Sequence, residues 1–212
     1  FKNFLKYYEV NSYNLELYEL FIKNCLLKYN KQSYLCKNNN NLLRIKSLIR
    51  KFPNAKFLII FRNPLDHSIS LMNQHINFSN LKKNNKFIKN YMNYLVHHEF
   101  GLNQKQMVFN EEDTLNISKD NINYWLLQWI HFYEFALKEK LKLWKNIIFI
   151  DYKDMCNNTD FEFKKISNFI GENVFDNIEK KKFVQKTYDL KEFNFTSEYI
   201  KKSLEIYDNL KN

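Results

Sequence analysis

The chain has 212 residues, a formal charge of +10 at neutral pH, 45% hydrophobic and 17% aromatic residues, and only two glycines and two prolines. This length and hydrophobic content exclude a disordered chain and suffice for a domain with a full core, while the scarcity of turn residues disfavours sandwiches and barrels of many short strands. The lysines are scattered, which argues against a dedicated nucleic-acid surface and leaves two explanations open, a solvated lysine surface or an anionic ligand.

The first part of the chain alternates between helical and strand patterns. Apolar spacing predicts, in order, a helix over residues 11–29, a strand over 33–36 that stops at Lys37, a helix over 42–52, a strand over 56–61 and a helix opened by Asn63-Pro64. Alternating strands and helices are typical of a parallel sheet. We therefore predict an α/β fold, helix-rich, with a parallel sheet flanked by helices.

The second part is predicted to be mostly helical. The first predicted helix has an apolar stripe from Phe87 to Leu95 and ends at Gly101, and a polar loop leads from it to a long helix that starts at Ser118 to Asp120. A strand over 146–150, a helix over 160–170 capped by Gly171, and two more helices follow. The aromatic stripe of the long helix, with Trp125 and Trp129, is interpreted as core. Without repeats or a linker, residues 1–212 are predicted to form a single domain.

Arg62 stands where the apolar strand over 56–61 ends. Ligands of open parallel sheets bind beyond the carboxyl ends of the strands, where helix N-termini offer free N–H groups. Asn63 is a good N-cap, Pro64 suits the first helical position, and Ser70 lies two turns after Asn63 on the same side of the helix. A phosphate site that uses Arg62 and Ser70 is one interpretation, and an ion pair between Arg62 and Asp66 is an equally good one.

The stretch FPNAKFLIIFRNPLDHSIS, residues 52–70, resembles the 3′-phosphate-binding segment of sulfotransferases that use 3′-phosphoadenosine 5′-phosphosulfate (PAPS). The resemblance implies a P-loop-like sulfotransferase fold in which Arg62 and Ser70 bind the ribose 3′-phosphate. FIDYKDM, residues 149–155, is similar to a segment of the same family whose tyrosine contacts the adenine region, which implies this role for Tyr152. Further similarities, such as KTYDLKEFNF, indicate the bacterial-type branch.

Two features depart from the family pattern. The phosphosulfate-binding loop of these enzymes has no counterpart before Gly101, so we expect a fragment of a longer protein with the N-terminal part missing. The resemblance implies that Lys37 contacts the sulfuryl group, but Asn39 stands where some branches have a histidine base, and an amide cannot take a proton. His75 is a candidate substitute for that base.

The predicted function is sulfuryl transfer from PAPS to a hydroxyl or amine acceptor, without a metal and without a specific nucleic-acid partner. The fragment alone is expected to have little or no activity. Two alternatives stay open: a nucleotide-binding pseudoenzyme of the same fold and a basic nucleic-acid-interaction module. A P-loop kinase is disfavoured because no Gly-x-x-x-x-Gly-Lys motif occurs.

The three cysteines, Cys25, Cys36 and Cys156, are widely spaced and lack zinc-site spacing. We interpret them as free thiols in a reducing compartment and predict a cytoplasmic location. No run of about 18 uncharged apolar residues occurs, so no transmembrane segment is predicted.

Overall fold

The computed structural model describes residues 4–171 and 183–211. In these residues the regular elements are β1 (Phe4–Lys6), α1 (Ser12–Tyr29), α2 (Ile45–Lys51), β2 (Phe57–Phe61), α3 (Pro64–Asn84), α4 (Lys86–Tyr94), β3 (Gln106–Val108), α5 (Ile122–Leu143), β4 (Ile147–Asp151), α6 (Tyr152–Asn157), α7 (Thr159–Ile170) and α8 (Ser197–Lys211). Helices thus dominate, as the composition predicts.

Strands β2 and β4 pair in parallel, in a register that aligns Phe57 with Ile147 and Phe61 with Asp151. Both strands are apolar runs, and the chain between them contains the long helices that a parallel connection requires. A second two-stranded sheet pairs β1 with β3. The predicted α/β class, with parallel strands flanked by helices, is confirmed.

The predicted strand over residues 33–36 is wrong, because this segment has no regular secondary structure. Leu35 is 93% exposed, so the short apolar run that suggested a buried strand is not buried. Asn30 ends α1 in the left-handed conformation, and Asn38 starts a 3₁₀ turn over Asn39–Arg44 with its side chain. Three apolar residues between two such boundaries do not by themselves specify a strand.

The chain forms two compact units, one made of Phe1–Leu5 with Lys56–Asn212 and the other of Lys6–Ala55. In the smaller unit the backbone N–H of Tyr8 donates to the Leu43 carbonyl, and Glu19 pairs with Lys23 and Lys51. The prediction of one domain over residues 1–212 stays a prediction.

Helix α5 forms the centre of the larger unit. The stripe predicted to be core is confirmed, because Trp125, Trp129, Tyr133 and Ala136 are all buried. Trp125 packs in an aromatic cluster with Phe100 and Tyr124, onto which Leu115 and Ile117 fold.

Two predicted helix boundaries differ from the observed ones, and one predicted helix lies outside the described residues. Helix α4 ends before Gly101 because Val96 takes a positive φ of 54° and the next N–H, from His97, bonds the Met92 carbonyl. Helix α5 begins at Ile122, after a turn at Ser118 to Asn121. Gly171 does cap α7, with φ 81°. Of the two final helices, α8 is observed, and residues 172–182 lie outside the described residues.

No helix in the described ranges is long and apolar enough to cross a membrane.

Candidate functional site

The turn from β2 into α3 is fixed by its own sequence. The Asn63 side chain accepts hydrogen bonds from the backbone N–H groups of Leu65 and Asp66 at 3.0 and 3.2 Å. Pro64 occupies the first turn, where its missing N–H costs no hydrogen bond. The predicted cap is therefore present, and Arg62 is held between the end of β2 and the first turn of α3.

The carboxyl end of β4 lies beside that of β2. Because Phe61 aligns with Asp151, the residues that follow them, Arg62 and Tyr152, leave the sheet at the same edge. Asp151 is buried and caps α6 by accepting from the Lys153 N–H at 2.9 Å. It also accepts the Tyr207 hydroxyl at 2.7 Å, which ties α8 to this edge.

The structure brings two of the predicted site residues together. The Arg62 guanidinium carbon lies 5.1 Å from the centre of the Tyr152 ring, which is within the range of a cation–π contact. Burial, with the neighbouring Cys156, raises the pKa of Tyr152, and the charge of Arg62 opposes this rise. The phenol is therefore protonated at neutral pH and offers its ring face to the cation.

The alternative explanation of Arg62, an ion pair with Asp66, is not observed. Asp66 instead accepts the backbone N–H of Tyr188 at 3.1 Å. The only hydrogen bond from Arg62 within the described ranges goes to the Lys186 carbonyl, at a long 3.4 Å. The guanidinium thus has five donors, no carboxylate partner in this part of the chain, and capacity for an anion.

A segment from the C-terminal region, residues 183–188, crosses this edge, and site reasoning from the sequence missed it. Besides the bonds from Tyr188 and to Lys186, the Val184 carbonyl accepts the Tyr152 hydroxyl at 3.2 Å. The similarity of KTYDLKEFNF to the family was the signal that could have found this segment. Backbone contacts of this kind leave no pattern of side chains in the sequence.

His67 is a second residue that the sequence reasoning missed. Its Nδ1 atom is enclosed and meets no hydrogen-bonding partner among the described residues. Burial, together with the charge of Arg62, lowers the pKa of His67 to about 3. Its ring lies 6.5 Å from that of Tyr133, whose hydroxyl donates to the Ile60 carbonyl at the end of β2. A neutral imidazole with an open nitrogen therefore stands next to the cation.

Ser70 lies on α3, two turns after the cap, and is half-buried. Its hydroxyl bonds to none of the described residues, whereas the nearby Ser68 hydroxyl donates to the Pro64 carbonyl at 2.6 Å. The Ser70 donor therefore has no partner among the described residues, and its predicted phosphate contact stays a prediction.

His75 lies farther along α3, eleven residues after Pro64 or about 16 Å along the helix axis. It is buried, its ring centre lies 5.2 Å from that of Trp125, and its Nδ1 accepts the Gly101 N–H at 3.2 Å. Burial, followed by the charge of Lys119, lowers its pKa. Its Nδ1 lone pair is occupied, so only Nε2 could exchange a proton, and its predicted role as base stays a prediction.

Lys37 lies in the smaller unit, in the irregular segment that follows Cys36, and its side chain is exposed. Its predicted contact with a sulfuryl group stays a prediction. Within residues 4–171 and 183–211, no group of three or more His, Cys, Asp and Glu side chains is arranged to hold a metal ion.

Comparison with known proteins gives one match. Residues 5–107, just under half of the chain, match the model of the sulfotransferase family. This range includes Lys37, Arg62, Ser70 and His75 but ends before Tyr152. No curated protein and no solved structure matches the chain significantly.

Proposed function

Because residues 5–107 match the model of the sulfotransferase family, we propose that the chain transfers a sulfuryl group from PAPS to a hydroxyl or amine acceptor. In such a transfer the donor supplies the sulfuryl group, the sulfur–oxygen bond to the phosphate breaks, and a bond from sulfur to the acceptor oxygen or nitrogen forms. The acceptor loses one proton, and the product nucleotide is 3′-phosphoadenosine 5′-phosphate.

The proposal rests on the surroundings of the Arg62 side chain. Its guanidinium is held at a capped helix N-terminus, against the Tyr152 ring, with a single carbonyl as its described partner. A partly buried cation with unused donors at the positive end of a helix dipole is suited to a dianionic phosphate. We assign the 3′-phosphate to Arg62 and to the hydroxyl of Ser70.

Tyr152 supports the adenine end of the nucleotide in this proposal. Its ring is fixed on one side by Arg62, and its hydroxyl is held by the Val184 carbonyl. The residues 183–188 would then cover the bound nucleotide and limit the access of water to it. Lys37 is assigned to the sulfuryl group, where a cation stabilises charge that grows on the leaving phosphate.

Isothermal titration calorimetry with two nucleotides tests the proposal. The chain should bind 3′-phosphoadenosine 5′-phosphate at least about tenfold more tightly than AMP, because a hydrogen bond to a charged group contributes about 1.5–3 kcal/mol. Arg62→Ala should weaken binding of 3′-phosphoadenosine 5′-phosphate by at least about tenfold. Lys56→Ala, a lysine in the same unit that lies over Phe169, is the matched control. Equal affinity for the two nucleotides in the unmodified chain would exclude the proposed phosphate site.

A transfer assay tests the assignment of Lys37 separately. In the parent protein, Lys37→Ala should lower kcat far more than it weakens nucleotide binding, because the leaving-group charge develops only towards the transition state. Exposed Lys31 of the same unit provides the control substitution. A Lys37→Ala variant with unchanged kcat would remove Lys37 from the sulfuryl site while leaving the Arg62 assignment untouched.

A further inference from the structure

A cavity of about 690 Å³ lies in the larger unit, between the loop at residues 102–106 and the segment at 115–119. This volume falls in the range of small-molecule sites in proteins. We call it the Lys119 cavity. Nothing assigned above to the nucleotide lines it, since Arg62, Ser70 and Tyr152 are absent from its walls.

One wall of the Lys119 cavity is apolar and well packed. Leu115 and Ile117 face it and rest on the cluster of Phe100, Tyr124 and Trp125. Trp125 also donates its indole N–H to the Lys119 carbonyl at 2.8 Å, which fixes the segment that carries Lys119. This wall provides a rigid surface for the hydrocarbon part of a ligand.

The polar side chains of the other wall are occupied by the protein itself. The Gln106 amide bonds the backbone of Asp113 and Leu115. The Gln104 amide bonds the Tyr124 hydroxyl and the Lys105 carbonyl. These amides therefore stabilise the walls of the cavity, and the charged side chains are the groups that can bind a ligand.

The described titratable side chains that line the Lys119 cavity are either positively charged or neutral, and none of them is acidic. Lys105 and Lys119 face it, together with His98, and no carboxylate is among the lining residues. Lys119 donates one hydrogen bond to the Gln104 carbonyl, so an ammonium group with three donors keeps two of them. Lys105 has no ion pair in the described part of the chain. Burial lowers the pKa of Lys119.

A third lysine lies behind this region. Lys82 is 2% exposed, and its ammonium donates to the Phe100 carbonyl at 3.3 Å without a carboxylate partner among the described residues. The neighbouring acids do not compensate for it, because Glu99 pairs with His97 and Asp120 is exposed at the rim of the adjoining cavity. The local potential is therefore positive, and an anion would relieve it.

We propose that the Lys119 cavity is a second binding site, which takes a small organic anion. The carboxylate, sulfate or phosphate group of this anion contacts Lys105 and Lys119, and its apolar body packs on Leu115 and Ile117. Two cations with unused donors give the charge-assisted contacts, and the absence of a carboxylate from the lining discriminates against cationic ligands. This site does not depend on the assignment of the nucleotide to Arg62.

A matched pair of probes tests the proposal by calorimetry. 4-Hydroxybenzoate and 4-hydroxybenzamide share their size and ring but differ in charge. The benzoate should bind at least about tenfold more tightly than the benzamide, and this ratio should fall with added salt. Lys119→Gln should bring the ratio close to one, since glutamine retains a donor for the Gln104 carbonyl but carries no charge. Lys86→Gln, at the start of α4 and outside the cavity lining, should leave the ratio unchanged.

Two further variants keep the test decisive. Leu102→Trp adds a large side chain at the rim and should weaken both probes, which gives a readout if Lys119→Gln does not fold. Arg62→Ala should leave the benzoate affinity unchanged. Equal binding of the two probes, no binding of either probe, or loss of benzoate binding in Arg62→Ala but not in Lys119→Gln would overturn the proposal. Lys119→Gln should keep its affinity for 3′-phosphoadenosine 5′-phosphate, so failure of one site is distinguishable from failure of the other.

Discussion

The two halves of helix α3 use their polar residues differently. Near its first turn, the His67 Nδ1 atom and the Ser70 hydroxyl have no hydrogen-bonding partner in the described part of the chain. In the second half, His75 accepts the Gly101 N–H and Lys82 donates to the Phe100 carbonyl. Buried polar groups that are satisfied belong to the architecture, whereas groups left open beside a cation point to a ligand. Variants at the two ends should therefore separate stability from binding.

The largest expected effect is a loss of stability in acid that depends on His67. Its pKa is about 3 in the folded chain, below the ordinary value of 6.5, so the unfolded chain binds the proton first. Its contribution is fully present above about pH 6.5 and falls by about 1.4 kcal/mol per pH unit down to about pH 3. Urea unfolding of His67→Gln between pH 7 and pH 4 should show a flatter dependence than the unmodified chain. Parallel curves would mean that His67 is not held neutral.

The second largest expected effect concerns the second half of α3, where the buried polar groups have hydrogen-bonding partners. His75→Ala removes a buried ring and leaves the Gly101 N–H without its acceptor, so unfolding should become easier by about 2–4 kcal/mol. Nucleotide affinity of the folded protein should change by less than about twofold. Chemical unfolding and calorimetry measure the two quantities, and His98→Ala, a half-buried histidine with a single bond to the Asn103 carbonyl, is the control. A large loss of nucleotide affinity with intact stability would move His75 into the reacting site.

Features that depend on residues close together in the chain were predicted best from the sequence. Asn63 and Pro64 define the start of α3 through hydrogen bonds within the same turn, and the apolar stripe of α5 is buried as its spacing requires. The runs that form β2 and β4 were predicted as strands from their apolar residues, whereas the sequence did not specify that these two strands pair with each other. In each case, neighbouring residues carry the information.

The failures involve contacts between distant parts of the chain. The segment 33–36 has the composition of a strand, yet nothing in it specifies a partner, and it is exposed. Residues 183–188 reach the Arg62 edge through backbone groups that any sequence could supply. The His67 Nδ1 atom lacks a hydrogen-bonding partner among the described residues because other elements of the fold bury it away from water. None of these features has a signature in residue spacing.

A pair of serines on one helix sharpens the comparison at the first turns of α3. Ser70→Ala should weaken binding of 3′-phosphoadenosine 5′-phosphate by about tenfold, because a hydroxyl bonded to a charged group contributes about 1.5 kcal/mol or more. Ser68→Ala loses the bond to the Pro64 carbonyl and should cost about 1 kcal/mol of stability with little change in affinity. Calorimetry and thermal unfolding of both variants are the measurements. An unchanged affinity in Ser70→Ala would remove this serine from the phosphate site.

The smallest expected effect is that of Tyr152→Phe, at the sheet edge that Tyr152 shares with Arg62. The substitution keeps the ring that lies 5.1 Å from the guanidinium and removes only the hydroxyl that donates to the Val184 carbonyl. The cation–π contact is retained and only a neutral hydrogen bond, worth about 1 kcal/mol, is lost. Nucleotide affinity should therefore fall by no more than about fivefold, through looser attachment of residues 183–188. The melting temperature should barely change. Tyr207→Phe is the matched control, because its buried hydroxyl bonds Asp151 at 2.7 Å and its loss should lower stability without affecting the nucleotide. If Tyr152→Phe instead lost stability and kept its full affinity, Tyr152 would be a core residue, and the edge shared by β2 and β4 would bind the nucleotide through Arg62 and Ser70 without the ring.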